Sequence, residues 1–228
     1  MTVASYAVNG IIKTWTQIVC RIDAGDLNKI PTQGPMIIIS NHVNFLEAPV
    51  LYTHLLPRDI TALAKIESWD NKLKGFLFNV WKIIPIRRGE ADMTAYRASL
   101  DALATGKFLV IAPEGTRSYS GKLQTGLPGT AMIAVRSDVP IVPVAFYGAE
   151  NFWDNFKRFK RTPFNIRVGK PFKLNLQGNS LNKENRQDVM DECMYQLASL
   201  LPEEYRGVYS DFSKKTTNYL TFLNGNKA

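Results

Sequence analysis

Hydrophobic residues along the chain follow two patterns: short apolar runs bounded by turn residues, and stretches in which apolar residues recur every three or four positions. The runs predict buried strands, and the periodic stretches predict amphipathic helices. Because the two kinds of segment alternate, we expect an α/β layered fold, with a mostly parallel or mixed sheet flanked by helices. The predicted strands are residues 36–40, 60–64, 83–86, 108–111, 140–146 and 164–168, and the predicted helices are residues 48–56, 71–80, 93–103, 127–135 and 189–200.

The N-terminal stretch, residues 1–22, is predicted to form an amphipathic helical segment ahead of a single domain over residues 23–228. Polar residues such as Asn9, Lys13 and Arg21 interrupt it, so it is not expected to span a membrane. It also lacks the charge and cleavage pattern of a signal peptide. Two interpretations stay open, a helix packed on the domain and a helix lying on a membrane surface.

Two regions give a weaker pattern. The apolar run at residues 139–145 contains Pro140 and Pro143, which predicts an edge or bulged strand because proline cannot donate a hydrogen bond to a neighbouring strand. Beyond about residue 202 no clear period remains, and residues 214–228 are expected to fray.

Composition and charge narrow the function classes. The chain has 228 residues and 45% hydrophobic residues, enough for one domain with a full core. The net charge of +8 favours anionic partners, which include nucleic acids, anionic lipids and phosphorylated small molecules. The two cysteines, Cys20 and Cys193, are far apart and belong to no metal-ligand spacing, so neither a zinc site nor a disulfide scaffold is expected.

The first cluster of chemically capable residues follows the predicted strand 36–40. Asn41 and His42 come directly after it, and Glu47 begins the next predicted helix. A histidine with an oriented carboxylate is the pair that activates a hydroxyl group as a general base. An alternative is structural, because Asn44 and Glu47 have the spacing of a helix capping box and His42 is then a half-buried, hydrogen-bonded histidine.

The second cluster is a pair of arginines, Arg87 and Arg88, that leave the short predicted strand 83–86 at a turn. Guanidinium groups match phosphate oxygens bidentately, so the pair is a candidate phosphate clamp. A pair of solvated surface charges is the alternative interpretation.

The third cluster is the loop Pro-Glu-Gly-Thr-Arg-Ser at residues 113–118, directly after a buried strand. Glu114, Gly115, Thr116 and Arg117 bring a carboxylate, a turn glycine, a hydroxyl and a guanidinium into one loop. Backbone N–H, hydroxyl and guanidinium groups together can bind an oxyanion.

The order of these clusters points to a family. The blocks run Asn41-His42…Glu47, Ile84…Arg88, residues 113–118 and the proline-containing strand at 139–144. In this order they resemble the glycerophospholipid acyltransferase family, of the bacterial 1-acyl-glycerol-3-phosphate acyltransferase type, over about residues 22–150. Glu47 departs from the aspartate usual in the family, and Arg87 stands where an acidic residue is often found.

The resemblance implies a phospholipid-biosynthetic enzyme that moves an acyl group from acyl-CoA or acyl carrier protein to a lysophospholipid, giving phosphatidic acid, with no cofactor or metal. It makes His42 the general base and Glu47 its orienting carboxylate. It assigns the acceptor phosphate to Arg88, Thr116 and Arg117, with Arg87, Glu114, Gly115 and Asn41 in supporting roles. A hydrolytic or non-catalytic lipid-surface protein of the same fold is the alternative.

Residues 153–164 interleave aromatic side chains with four basic ones. Such a segment fits a solvated loop, a nucleic-acid contact or a membrane contact. The resemblance favours the membrane, since the substrate of such an enzyme is an amphiphile. We therefore expect peripheral contact with an anionic membrane on its cytoplasmic side, without a transmembrane helix and without nucleic-acid binding.

Overall fold

The computed structural model of the protein describes residues 3–223. Seven α-helices and nine strands make up this part of the chain, together with five short 3₁₀ turns. The helices are α1 Val3–Val19, α2 Glu47–His54, α3 Lys72–Val80, α4 Met93–Ala104, α5 Gly129–Ser137, α6 Phe152–Lys157 and α7 Arg186–Ala198. The strands are β1 Cys20–Asp23, β2 Met36–Ser40, β3 Ile60–Lys65, β4 Ile84–Ile86, β5 Phe108–Ile111, β6 Ile141–Tyr147, β7 Thr162–Val168, β8 Phe172–Leu174 and β9 Leu220–Phe222.

The strands form one mixed sheet in the order β1-β7-β6-β2-β5-β3-β4, with β8 and β9 attached beside the start of β6. β6, β2, β5, β3 and β4 are parallel to one another, whereas β7 runs antiparallel to β6. The predicted α/β fold with a mostly parallel or mixed sheet is therefore confirmed. Parallel strands end at a common edge of the sheet, which is where folds of this class place ligands.

Helices cover both faces of the sheet. In β2, Ile37 and Ile39 face a core shared with α4, α5 and α7, while Met36 and Ile38 face a second core shared with α1, α2, α3 and α6. Every residue of β2 is buried, so this strand is apolar on both faces rather than alternating. None of the helices in the described residues is long and apolar enough to cross a membrane.

The predicted N-terminal helix is present but shorter than expected, because it ends at Val19 and Cys20–Asp23 pairs with β7 as β1. The Arg161 guanidinium donates hydrogen bonds of 2.7 Å to the carbonyl oxygens of Gln17 and Cys20. These bonds satisfy acceptors that a helix leaves free at its C-terminal end, and so stabilise the end of the helix at this point.

The prediction of an edge or bulged strand at residues 139–145 was wrong, because β6 lies inside the sheet between β2 and β7. Pro143 accepts a hydrogen bond from the Gly169 N–H, 2.9 Å away. The backbone N and O of one strand residue point to the same side, so the N–H that Pro143 lacks would also point away from β2. On that side the partner of β6 changes from β8 to β7, so the hydrogen-bond ladder is already interrupted there. An interior strand tolerates the proline for this reason.

The C-terminal region is more ordered than the sequence indicated. Residues 214–223, expected to fray, include β9, and the buried Glu192 carboxylate accepts hydrogen bonds from the backbone N–H groups of Asn218 and Tyr219 at 2.7 and 2.8 Å. Residues 1–2 and 224–228, which were part of the predicted N-terminal segment and C-terminal tail, lie outside the described residues.

Candidate active site

A cavity of about 480 Å³ lies at the carboxyl ends of the parallel strands and continues between α2, α4 and α5. His42, Glu47, Arg87 and Arg88 line it together with a larger set of apolar side chains. The first two residues follow β2 and the arginines follow β4, so residues at least 40 positions apart in sequence line one cavity because their strands end at one edge. The interior is lined by residues such as Leu51, Ala62, Leu63, Val110 and Ile133.

The two oxygens of the Glu47 carboxylate bind three groups. Oε2 lies 2.8 Å from Nδ1 of His42, and Oε1 accepts hydrogen bonds from the backbone N–H groups of Val43 and Asn44. The imidazole pair is therefore present, whereas the capping box proposed as its alternative is only half formed: α2 begins at Glu47 with Leu46 as its N-cap, and Oδ1 of Asn44 accepts from the Leu46 N–H. Glutamate in place of aspartate still reaches the histidine, and Nε2 of His42 has no partner among residues 3–223.

The loop at residues 113–118 holds the backbone of His42. The His42 N–H donates to Oε1 of Glu114 at 2.9 Å, and the Ser118 N–H donates to the His42 carbonyl at 2.7 Å. Oε2 of Glu114 accepts from the Gln124 N–H, also at 2.9 Å. Burial raises the pKa of Glu114, and the N–H donors of Gln124 and His42 oppose that rise. Glu114 thus fixes the position of His42.

The side chain of Asn41 continues the hydrogen bonding between β2 and β6 one residue beyond the end of β2. Its amide donates to the Phe146 carbonyl and accepts from the Phe146 N–H, both at 2.7 Å. Asn41 is buried, so this pair of bonds holds the end of β2 firmly beneath His42.

The turn after β4 presents both arginines to the cavity. The Asp92 carboxylate accepts from the Arg87 N–H at 2.9 Å and also caps α4, through the N–H groups of Thr94 and Ala95 at 3.0 Å. These backbone hydrogen bonds lower the pKa of Asp92. Asp92 therefore closes the turn that carries Arg87 and Arg88.

The second group of predicted phosphate ligands lies at the rim. Thr116 and Arg117 are exposed on the outer side of their loop, whereas Gly115 lines the cavity. Partial desolvation and then the positive charge of Arg117 lower the pKa of Arg88, so these two guanidinium groups are close enough to interact. The structure thus places Arg87 and Arg88 on the cavity and Arg117 near Arg88.

Sequence reasoning missed several residues of this site. Asp92 carries a usable signal, since an aspartate directly before a periodic stretch is a typical N-cap. Leu127 packs against Gly115, and its N–H donates to the Pro113 carbonyl at 2.8 Å. Thr130, in the first turn of α5, lines the cavity without any local sequence signal.

A family model described as Acyltransferase matches residues 21–147, which is more than half of the chain. The chain belongs to the Acyltransferase family.

The relatives in this family carry consistent names. The chain is 26% identical over 146 residues to a chloroplastic 1-acyl-sn-glycerol-3-phosphate acyltransferase of Brassica napus, with 60% of this chain and 42% of that protein covered. It is 26% identical over 143 residues to the 1-acyl-sn-glycerol-3-phosphate acyltransferase of Bacillus subtilis, with 62% and 69% covered. The matched region is thus less than half the length of the plant relative.

A solved structure shares the fold. The 1-acyl-sn-glycerophosphate acyltransferase PlsC of Thermotoga maritima superposes with a TM-score of 0.57 at 21% identity. The match covers 82% of this chain and 75% of the other. The likeness extends beyond the region of the family model, to most of the helices and strands.

Proposed function

We propose that the protein transfers an acyl group from the thioester of acyl-CoA or acyl carrier protein to the free hydroxyl of a lysophospholipid. The proposed acceptor is 1-acyl-glycerol-3-phosphate, which gives phosphatidic acid. The observation that carries the proposal is the His42–Glu47 pair, 2.8 Å apart, on the wall of a largely apolar cavity with arginines at its opening. Family membership and the names of the relatives support the same reaction.

In the proposed mechanism, Nε2 of His42 accepts the proton of the acceptor hydroxyl while its oxygen attacks the thioester carbonyl. Glu47 holds the proton on Nδ1 and stabilises the imidazolium that forms. Collapse of the tetrahedral intermediate breaks the C–S bond, and the leaving thiolate takes the proton back from His42. General-base assistance of this kind typically contributes about 10²–10⁴ in rate.

The arginines at the opening are the proposed acceptor site. Arg88 lines the cavity and lies near Arg117, so the two guanidinium groups together suit a doubly charged phosphate. In this proposal Arg87 adds positive charge and the exposed Thr116 donates its hydroxyl to the same phosphate. The apolar interior of the cavity then holds an acyl chain.

We also propose that the protein works at the cytoplasmic surface of an anionic bilayer, in the compartment that contains both thioester donors. α1 exposes Tyr6, Ile11, Trp15 and Ile18, and the α6 region exposes Trp153, Phe156 and Phe159. The rings of Trp15 and Phe152 are 6.2 Å apart, so the two helices are neighbours. Exposed aromatic side chains beside basic residues favour the interface of an anionic membrane.

The test is thiol release from palmitoyl-CoA and from a palmitoyl acyl carrier protein, with and without 1-acyl-glycerol-3-phosphate. We expect release that requires the acceptor and falls by about 10²–10⁴ in a His42→Ala variant. The matched control is His54→Ala, because His54 is the other histidine and, among residues 3–223, its side chain bonds only to Thr53 and Val50 on its own helix. Release without acceptor would instead identify a hydrolase, and no release from either donor would identify a non-catalytic member of the family.

A further inference from the structure

Thr130 is a buried polar residue whose hydroxyl makes no hydrogen bond within the described part of the chain. Its side chain lines the active-site cavity and the residue is only 5% exposed. No hydrogen-bond partner for its hydroxyl exists among residues 3–223. The Thr130 hydroxyl is not among the fully buried side-chain atoms that lack a partner, so it reaches the cavity and can donate to a molecule that enters it.

The first turn of α5 adds further donors at the same place. Leu127, Gly129 and Thr130 all line the cavity, so the helix begins at its wall. The first N–H groups of an α-helix have no partner within the helix and carry the positive end of its dipole. No acidic residue lies in this first turn, and a Cβ placed at Gly129 would meet no atom within 4 Å. The start of α5 is therefore open to the cavity, and no acidic side chain of its first turn offsets the positive end of the helix dipole.

The position of this turn relative to His42 is fixed by hydrogen bonds. The Leu127 N–H donates to the Pro113 carbonyl at 2.8 Å. The same 113–118 loop binds the His42 backbone on both sides, through Glu114 and Ser118. Two short connections thus link the start of α5 to the histidine across the cavity wall.

We propose that the Thr130 hydroxyl and the first N–H groups of α5 bind the thioester carbonyl oxygen as it becomes negatively charged. This assignment rests on the acyl transfer proposed above. The acceptor oxygen forms its bond to the carbonyl carbon, and the C=O electron pair moves to oxygen, where these donors hold it. When the C–S bond breaks, the electron pair returns to form the ester carbonyl, so no further reactant is needed.

The acceptor phosphate is the other anion in the reaction, and the structure distinguishes the two. Arg87 and Arg88, which follow β4, line the cavity, and the positive charge of Arg117 acts on Arg88. The start of α5 offers only uncharged donors, and its neighbours Leu127 and Ile133 are apolar. Preorganised uncharged donors in an apolar setting suit a transient single charge on oxygen.

The kinetic test compares Thr130→Val, which removes the hydroxyl and keeps the shape, with Thr130→Ser, which keeps the hydroxyl. We expect kcat to fall about 10²-fold in Thr130→Val, with KM for both substrates unchanged, and most of the rate to remain in Thr130→Ser. Ser137→Ala is the control, since Ser137 is at the other end of α5 and bonds to the Ile133 carbonyl. A rise in the acceptor KM without a change in kcat, or no change at all, would overturn the assignment.

A binding measurement decides the question even if the wild type transfers no acyl group. A palmityl trifluoromethyl ketone hydrates to a tetrahedral centre with two oxygens, whereas the matching methyl ketone stays trigonal. We expect calorimetry to show tighter wild-type binding of the trifluoromethyl ketone, and Thr130→Val to lose that preference by about tenfold or more. An equal preference in both proteins would refute the role of Thr130. Absence of turnover in the wild type would refute only the proposed function.

Discussion

Glu47 belongs to two sequence patterns, and the structure completes one of them. Its Oε2 lies beside Nδ1 of His42, as the predicted pair requires. Its Oε1 accepts from the Asn44 N–H, but α2 begins only at Glu47, so the predicted capping box is incomplete. The pair was predictable from sequence because both residues lie within seven positions of the end of β2. Thr130 was not predictable, since its place on the cavity that His42 also lines depends on the packing of α5 against a loop that precedes it.

Replacing Glu47 with glutamine separates its two roles. The amide oxygen of Glu47→Gln still accepts from the N–H groups of Val43 and Asn44, but its NH₂ group faces Nδ1 of His42. The imidazole proton then moves to Nε2, which can no longer accept a proton. We expect kcat to fall about 10²–10⁴-fold with little change in thermal stability. ¹⁵N NMR of the imidazole reports the tautomer, and an unchanged tautomer would contradict this explanation.

Glu114 gives a stability effect that depends on pH. Burial raises its pKa from the usual 4.5, so the folded protein binds a proton more tightly than the unfolded chain does. Stability therefore falls as the pH rises from about 4.5 through the raised pKa. We expect the stability advantage of the wild type over Glu114→Gln, measured by urea unfolding, to be larger at about pH 4 than at about pH 7. An advantage that grows with pH would contradict the sign.

Helices and strands with a strong apolar pattern were predictable, and the errors have physical causes. The central strands β2 and β5 are buried on both faces, so their sequences are continuously apolar. β1, in contrast, is a four-residue continuation of an amphipathic stretch. The partners that hold it apart from the helix, Arg161 and strand β7, come late in the chain, with Arg161 141 positions after Cys20. β6 was misplaced because the break in its ladder at Pro143 is set by partners that lie later in the chain.

The contact between β6 and the turn after β7 predicts a specific instability. A Cβ at Gly169 would lie 2.7 Å from Cγ of Pro143 and 3.3 Å from Leu200. We expect Gly169→Ala to lower the free energy of unfolding by about 1–3 kcal/mol, because rigid neighbours must move.

Gly10→Ala is a control that is expected to have the opposite effect. Gly10 lies within α1, and a Cβ there would meet no atom within 4 Å, so the variant should raise the free energy of unfolding by about 0.5–1 kcal/mol. Urea unfolding of both variants would measure the two effects. Equal effects in the two variants would mean that Pro143 does not restrict this turn.

The two helix layers of the protein differ in what they show to solvent. α1, α3 and α6 cover the same core, and their outer surfaces carry exposed apolar side chains that include Ile11, Phe76 and Trp153. Phe45, in the loop after His42, stacks on Trp153 with ring centroids 5.5 Å apart. The layer that we propose to contact the membrane is therefore in direct contact with the loop that follows His42, which suits the proposed transfer to an acceptor taken from a bilayer.

If the protein contacts the membrane through this layer, binding to vesicles should depend on where the basic residues lie more than on the net charge of the protein. The double variant Lys157→Glu, Arg158→Glu lowers the net charge by four units at the end of α6. The control double variant Arg97→Glu, Arg136→Glu lowers it by the same amount on α4 and α5. Each lowers the net charge from +8 to +4. At about 1 kcal/mol per basic residue near the surface, we expect the α6 variant to lose about tenfold or more in binding to anionic vesicles at low salt, and the control to bind nearly as the wild type does. Cosedimentation with anionic and with neutral phosphatidylcholine vesicles measures this. Equal losses in both variants would mean that the overall charge, and not this layer, draws the protein to the membrane.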